Sequence, residues 1–108
     1  MTVYDLEALA AEHLTTARAA PAGRSAVTLS HQGALRQTLI ALIAGAALQD
    51  HEAPPAATLQ ILRGQARLTA GDDTTDLLTG GQLIAIPQRR HGLAAVDDTV
   101  VLLTVLAD

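Results

Sequence analysis

Two glycine-led segments of this chain each contain one histidine, and these histidines are the residues best suited to chemistry. The first segment begins at Gly45, reaches His51 and extends to Gly64, and the second runs from Gly80 to His91. An imidazole ring can donate or accept a hydrogen bond, transfer a proton or bind a transition metal. We therefore take His51 and His91 as candidate ligand-binding residues.

Other polar residues could extend a site built on these histidines. Arg89 and Arg90 directly precede His91, and two adjacent guanidinium groups attract an anionic ligand. Gln37 and Gln60 are the neutral candidates, because each amide can donate and accept hydrogen bonds. We expect these two arginines and two glutamines to join the histidines in ligand binding. The alternative for the Arg-Arg-His sequence is a solvated, positively charged loop.

The composition excludes several reaction classes. The 108 residues include no cysteine and no lysine, so neither a thiolate nucleophile nor a lysine Schiff base is available. Tyr4 is the only Phe, Trp or Tyr residue, and the formal net charge is −4. Both features argue against a nucleic-acid partner. Serine hydrolysis has no support, because neither Ser25 nor Ser30 lies in a Gly-x-Ser-x-Gly sequence.

We expect a cytoplasmic protein that does not enter a membrane. The first residues include acids and lack the basic region of a signal peptide. The longest apolar run, from Leu39 to Leu48, is about half the length that a bilayer-spanning helix needs.

The pattern of apolar residues predicts one helix followed by a β-domain. Leu6, Leu9 and Leu14 recur at helical spacing within about the first eighteen residues, and a linker with proline and glycine ends that helix. Short apolar runs separated by turn residues then predict an all-β sandwich or jelly-roll barrel. We therefore divide the chain into an N-terminal helix with its linker, residues 1–25, and a barrel, residues 26–108. The expected strands lie near Ala26–Ser30, Leu35–Ala44, Ala46–Gln49, Thr58–Arg63, Ala66–Ala70, Thr75–Leu78, Gln82–Ile86, Gly92–Val96 and Val100–Leu106.

Two of the expected strands are apolar on both faces, as the runs LIALIA and VVLLTVL show. One face would lie in the barrel, and the other needs a cover. The N-terminal helix could cover it within the chain, or a second subunit could do so. We expect a homodimer with twofold symmetry.

The spacing within the two glycine-led segments resembles the two sequence motifs of the cupin superfamily. The matching residues are Gly45, His51 and Gly64 for the first motif and Gly81, Pro87 and His91 for the second. The resemblance covers about residues 35–106. It implies a double-stranded β-helix, which is a jelly-roll barrel with a pocket at one end. In cupins, three histidines and one glutamate commonly bind a divalent metal there.

The resemblance carries over only part of that ligand set. His51 and His91 fall on two of the histidine positions, whereas Ala53 and Ala57 occupy the second-histidine and glutamate positions. Ala95 stands at an asparagine position of the second motif. Most catalytic metal sites use at least three protein ligands. We therefore expect either no cofactor or a weakly bound divalent metal.

These observations favour a protein that binds a small molecule, anionic or carbonyl-bearing, in an aliphatic barrel pocket without a complete catalytic metal site. One alternative is a metal-dependent enzyme of the dioxygenase or isomerase type that uses His51 and His91. Another is a sensor or protein-interaction module. Enzymatic and non-enzymatic functions both stay open at this point.

Overall fold

The predicted helix is formed by Leu6–Ala19 (α1) in this computed structural model, which describes residues 1–107. Asp5 caps its first turn by accepting a hydrogen bond at 3.1 Å from the backbone N–H three residues ahead. An acidic residue in the first turn and Arg18 in the last turn complement the helix dipole. The helix prediction is confirmed. No helix within this range is long and apolar enough to cross a membrane.

Ten strands follow the helix in the described chain. They are β1 (Arg24–Gln32), β2 (Leu35–Leu42), β3 (Ala47–His51), β4 (Ala56–Arg63), β5 (Gln65–Ala70), β6 (Asp73–Thr74), β7 (Leu78–Thr79), β8 (Leu83–Ala85), β9 (His91–Ala95) and β10 (Thr99–Leu106). The first sheet has the order β1-β2-β10-β4-β8, and the second has the order β3-β9-β5-β6 with β7 also paired to β5. All pairs are antiparallel. The expected all-β fold with an N-terminal helix is therefore confirmed.

One expected strand is replaced by two short ones. The sequence pattern predicts a strand near Thr75–Leu78, whereas β6 ends before this segment and β7 begins at its last residue. The N–H of Thr75 donates to the carbonyl oxygen of Leu68 at 2.8 Å, and the Thr75 hydroxyl accepts from the N–H of Leu68 at 2.9 Å. Because a side-chain oxygen takes the place of a backbone carbonyl, the regular ladder is interrupted.

The first sheet separates two apolar cores. Its inner face and the second sheet form the inter-sheet core, whose buried residues are Ile40, Leu42, Leu59, Ile61, Ala66, Leu68, Ile86, Leu93, Ala95 and Val101. Its outer face and α1 form the helix–sheet core, whose buried residues are Ala10, Leu14, Ala17, Leu39, Ala41 and Val100. The helix therefore lies on its own barrel, and it covers the apolar outer residues of β2 and β10. The expected homodimer stays a prediction. A second subunit is not needed to cover this apolar face, because α1 covers it.

Polar contacts hold the helix on the barrel. Arg18 donates to the carboxylate of Asp98 at 2.9 Å, and the other carboxylate oxygen accepts from the N–H of Ala44 at 2.9 Å. The Ala44 hydrogen bond, followed by the Arg18 guanidinium, lowers the pKa of Asp98 from its ordinary value. Nearer the middle of α1, Nδ1 of His13 lies 2.7 Å from the hydroxyl oxygen of Ser25. These contacts join α1 to β1 and to the loops at one end of the barrel.

Gly64, at the end of the first glycine-led segment, has a structural role in the turn between β4 and β5. Its φ of +92° lies in the left-handed region, and a Cβ atom there would overlap the carbonyl oxygen of Asp98. The buried hydroxyl of Thr99 accepts from the N–H of Gln65 at 3.1 Å beside this turn. The turn is thus attached to the first residue of β10.

Candidate functional site

The pairing of β3 with β9 places the two histidines side by side. His51 is the direct cross-strand partner of His91. Their ring centroids lie 4.4 Å apart and their planes are inclined at 63°, which is an edge-to-face arrangement. Leu48 and His51 are three residues apart on β3, whereas their cross-strand partners Leu93 and His91 are two residues apart on β9. This extra residue is a β-bulge, which lets both Leu48 and His51 face the inside of the barrel.

A backbone carbonyl fixes the proton of each ring. Nδ1 of His51 lies 3.0 Å from the carbonyl oxygen of Gln49, and Nδ1 of His91 lies 3.0 Å from the carbonyl oxygen of Arg89. A carbonyl oxygen can only accept, so Nδ1 carries the proton in both neutral rings. Nε2 of each ring is then an acceptor that a bound molecule can use.

The two rings border a small cavity at one end of the inter-sheet core. Its volume is about 20 Å³, which is room for about one water molecule. His91 is only 4% exposed, whereas His51 lies at the exposed rim. The rest of the lining is the backbone at Gly92 and the aliphatic side chains of Leu48, Leu59, Leu68, Ile86, Leu93 and Leu103. The sequence predicts an aliphatic pocket but not which residues form its wall. The alternation of apolar residues along each strand is the pattern that could predict them.

Gly92 belongs to the site, but no sequence pattern predicted its role. A Cβ atom at this position would overlap the carboxylate of Asp50 and would lie 3.0 Å from the carbonyl oxygen of Leu48. The absence of a side chain therefore lets the bulged part of β3 approach β9 next to His91. The close approach positions the histidine pair.

The two arginines lie outside the cavity, and each contacts an acidic side chain. Arg89 donates to the carboxylate of Asp73 at 2.7 Å. Arg90 donates to the carboxylate of Glu52 at 3.2 Å and to the carbonyl oxygen of Asp50 at 2.9 Å. All four charged side chains are more than half exposed. The guanidinium groups therefore connect surface segments around His91 and are not directed at the cavity.

Gln37 and Gln60 are not brought to the histidines. Gln37 donates to the hydroxyl of Thr104 at 3.2 Å, and Gln60 pairs across the strands with Leu83 and Leu102. On β2 and β4 these glutamines alternate with the buried inner-face residues, so they lie on the outer face of the first sheet. The expectation that they contact a ligand in the cavity does not agree with this placement.

The residues present do not fit a metal centre held by the protein alone. Within residues 1–107 no group of three histidine, cysteine, aspartate or glutamate side chains could hold a metal ion. The cavity offers two imidazoles, and Ala57 packs against the inter-sheet core where the cupin glutamate would stand. Most catalytic sites need at least three protein ligands.

Similarity to known proteins is found in the structure and not in the sequence. No family model and no curated protein matches the sequence. A conserved protein of unknown function from Streptococcus pyogenes superposes with a TM-score of 0.73 at 29% identity, over 82% of this chain and 78% of that chain. A cupin superfamily protein from Desulfitobacterium hafniense superposes with a TM-score of 0.72 at 20% identity, over 79% of this chain and 78% of that chain.

A larger protein contains a similar barrel. The salicylate 1,2-dioxygenase from Pseudaminobacter salicylatoxidans superposes with a TM-score of 0.80 at 17% identity. The match covers 95% of this chain but only 34% of the dioxygenase. The similarities at 20% identity or below concern the fold alone, and they confirm the expected jelly-roll barrel.

Proposed function

We propose that this chain, which has the cupin fold, binds a small molecule between His51 and His91 without a complete set of protein metal ligands. The observation that supports this proposal is the pair of carbonyl-bound Nδ1 atoms. They leave two Nε2 acceptors on neighbouring rings beside one apolar cavity. Such a site combines apolar burial with a few polar groups that orient the ligand.

The chemistry of the two acceptors favours a ligand with a hydrogen-bond donor. Two unprotonated Nε2 atoms attract a hydroxyl or N–H group and repel a carbonyl or carboxylate oxygen. The positive charge that would favour an anion is not directed at the cavity, since Arg89 and Arg90 contact carboxylates on the surface. We therefore infer a small neutral molecule with a hydroxyl group and a short apolar part.

The size of the cavity limits what binds without movement. About 20 Å³ holds about one water molecule, whereas ordinary ligand pockets measure roughly 300–1,000 Å³. A molecule larger than water therefore enters only when part of the wall moves. The aliphatic walls then provide the burial energy and the histidine pair provides the orientation.

Two matched probes test this proposal. Phenol carries a hydroxyl donor, and benzoate replaces it with an acceptor of similar shape. We expect phenol to shift the Nε2 resonances of His51 and His91 in ¹⁵N NMR spectra and benzoate to leave them unchanged. The response should be lost in His51→Ala and retained in His31→Ala, which removes another exposed histidine. Stronger binding of benzoate, or an equal response in His51→Ala, would contradict the proposal.

A metal-dependent enzyme is the second candidate, and one observation favours it. A metal-bound histidine usually donates its other N–H to an oxygen acceptor, as both Nδ1 atoms do here. Elemental analysis of protein purified without a histidine tag separates the candidates. A stoichiometric divalent metal that is lost in His91→Ala and kept in His31→Ala would replace our proposal with this one.

A further inference from the structure

The connection between β8 and β9 is flanked by two residues that line the cavity. Residues 87–90, which we name the 87–90 loop, join Ile86 to His91, and both of these flanking residues line the cavity. The N–H of Arg89 donates to the carbonyl oxygen of Pro87 at 2.8 Å, so the loop makes a tight turn. Any displacement of this loop moves two parts of the cavity wall.

One ion pair on each side attaches the loop to the surface, and Arg90 also donates to the carbonyl oxygen of Asp50 at 2.9 Å. Arg89 contacts Asp73 on β6 at 2.7 Å, and Arg90 contacts Glu52 after β3 at 3.2 Å. Both pairs are exposed to solvent, where ion pairs contribute little stability and weaken in salt. These attachments are therefore strong enough to bias the loop toward its closed position and weak enough to release it.

A groove already exists on the outer side of the loop. Its volume is about 160 Å³, and it is lined by residues of β5, β6 and the loop, including Asp73, Pro87 and Arg89. Leu68 lines both this groove and the 20 Å³ cavity. The groove and the cavity are thus adjacent at Leu68, and the 87–90 loop lines the groove with Pro87 and Arg89.

We propose that the 87–90 loop is a gate that controls access to the His51–His91 cavity, with the Arg89–Asp73 and Arg90–Glu52 pairs as its two latches. This inference rests on the proposed function, because it concerns how a ligand reaches that site. Release of the latches joins the outer groove to the cavity and makes room for a molecule larger than water.

Opening of the gate also changes the histidine pair. The carbonyl oxygen that fixes the proton on Nδ1 of His91 belongs to Arg89, which is a latch residue. Loop displacement therefore releases the proton of His91 to either nitrogen, whereas the Gln49 carbonyl continues to hold that of His51. The two oriented acceptors are therefore restored when the loop returns over a bound molecule and the Arg89 carbonyl oxygen again accepts from Nδ1 of His91.

Chemical modification of His91 measures the opening without any knowledge of the ligand. Diethyl pyrocarbonate acylates accessible imidazole nitrogens, and His91 is 4% exposed while His31 is exposed. We expect initial modification of His91, resolved by peptide mass spectrometry, to be much slower than that of His31. The double variant Arg89→Ala/Arg90→Ala should raise the His91 rate by about twofold to thirtyfold, the range for two exposed ion pairs. Added salt should raise the wild-type rate in the same direction.

A matched variant separates the latches from a general effect of charge. Arg63→Ala/Arg67→Ala removes the same charge from residues that form no salt bridge within residues 1–107, and it should leave the His91 rate unchanged. The gate is wrong if wild-type His91 reacts as fast as His31, or if the Arg89→Ala/Arg90→Ala rate equals that of wild type. A failure of phenol to bind would leave these rates as expected, so the two proposals fail separately.

Discussion

The two faces of the first sheet are both apolar, but only the inner face borders the cavity with the two histidines. On the outer face, α1 packs Leu14 against Leu39 and the other residues of the helix–sheet core. On the inner face, Leu59 borders the cavity that also contains the two histidine rings. The difference indicates that the outer face serves stability, whereas this end of the inner face places polar groups beside an apolar cavity.

Leucine-to-alanine substitutions on the two faces test this division most strongly. Leu39 and Leu59 are 0% and 2% exposed, so we expect Leu39→Ala and Leu59→Ala each to lower the free energy of unfolding by about 2–5 kcal/mol. Only Leu59→Ala enlarges the cavity, and only this variant should shift the ¹⁵N resonances of His51 and His91. Urea titrations and NMR spectra provide the two readouts. Similar shifts in both variants would show that the faces are not independent.

Gly92 tests whether close strand approach positions the histidine pair. We expect Gly92→Ala to cost about 1–2 kcal/mol, because the Asp50 carboxylate can rotate away but the Leu48 carbonyl oxygen must shift. The His51 and His91 resonances should move with it. Gly80→Ala is the control, since a Cβ atom there makes only ordinary contacts of 3.6 Å or more. Equal effects of the two substitutions would show that Gly92 does not position the histidine pair.

The contact of Asp98 with α1 should contribute the least to the stability of the fold. Its loss should affect only the outer face of the first sheet, where α1 packs. The folded-state pKa of Asp98 is lowered from its ordinary value of 3.8, so its stabilising contribution is complete above that pH. The contribution is lost as the pH falls below 3.8 through the lower folded-state pKa. Thermal unfolding should show wild type more stable than Asp98→Asn at neutral pH, with the difference shrinking in acid.

Two further observations would contradict this role of Asp98. One is a difference in thermal stability between wild type and Asp98→Asn that does not change with pH. The other is a similar loss in Asp72→Asn, since Asp72 is exposed and makes no side-chain hydrogen bond among those found in residues 1–107. The His51 and His91 resonances should be unchanged in both variants.

The sequence predicts the elements and the histidine pair better than the surroundings of the site. Helical spacing, which is a local signal, predicts α1. The resemblance to the two cupin motifs brings His51 to His91, although they are far apart in the chain. The jelly-roll fold that the cupin resemblance implies is confirmed by structures whose sequence identity to this chain is low. Local patterns together with this resemblance thus predict the fold and the centre of the site.

The contacts of the arginines and glutamines depend on relations that no local pattern encodes. Arg90 contacts Glu52, which is 38 positions away in the chain, so the sequence alone does not show that the guanidinium leaves the cavity. Gln37 and Gln60 lie on the first sheet, while His51 and His91 lie on the second. The alternation within one strand does not indicate which of its faces meets a residue on another sheet. The β-bulge before His51 also changes which face of β3 this histidine occupies, and no local pattern predicts the bulge.

The most direct test of the account is the protonation state of the two imidazoles at mildly alkaline pH. A long-range ¹H–¹⁵N correlation spectrum distinguishes the two neutral tautomers of histidine. We predict that both His51 and His91 carry their proton on Nδ1, with an unprotonated Nε2 beside the cavity. A spectrum in which either ring carries its proton on Nε2 would contradict the paired-acceptor site on which the proposed function rests.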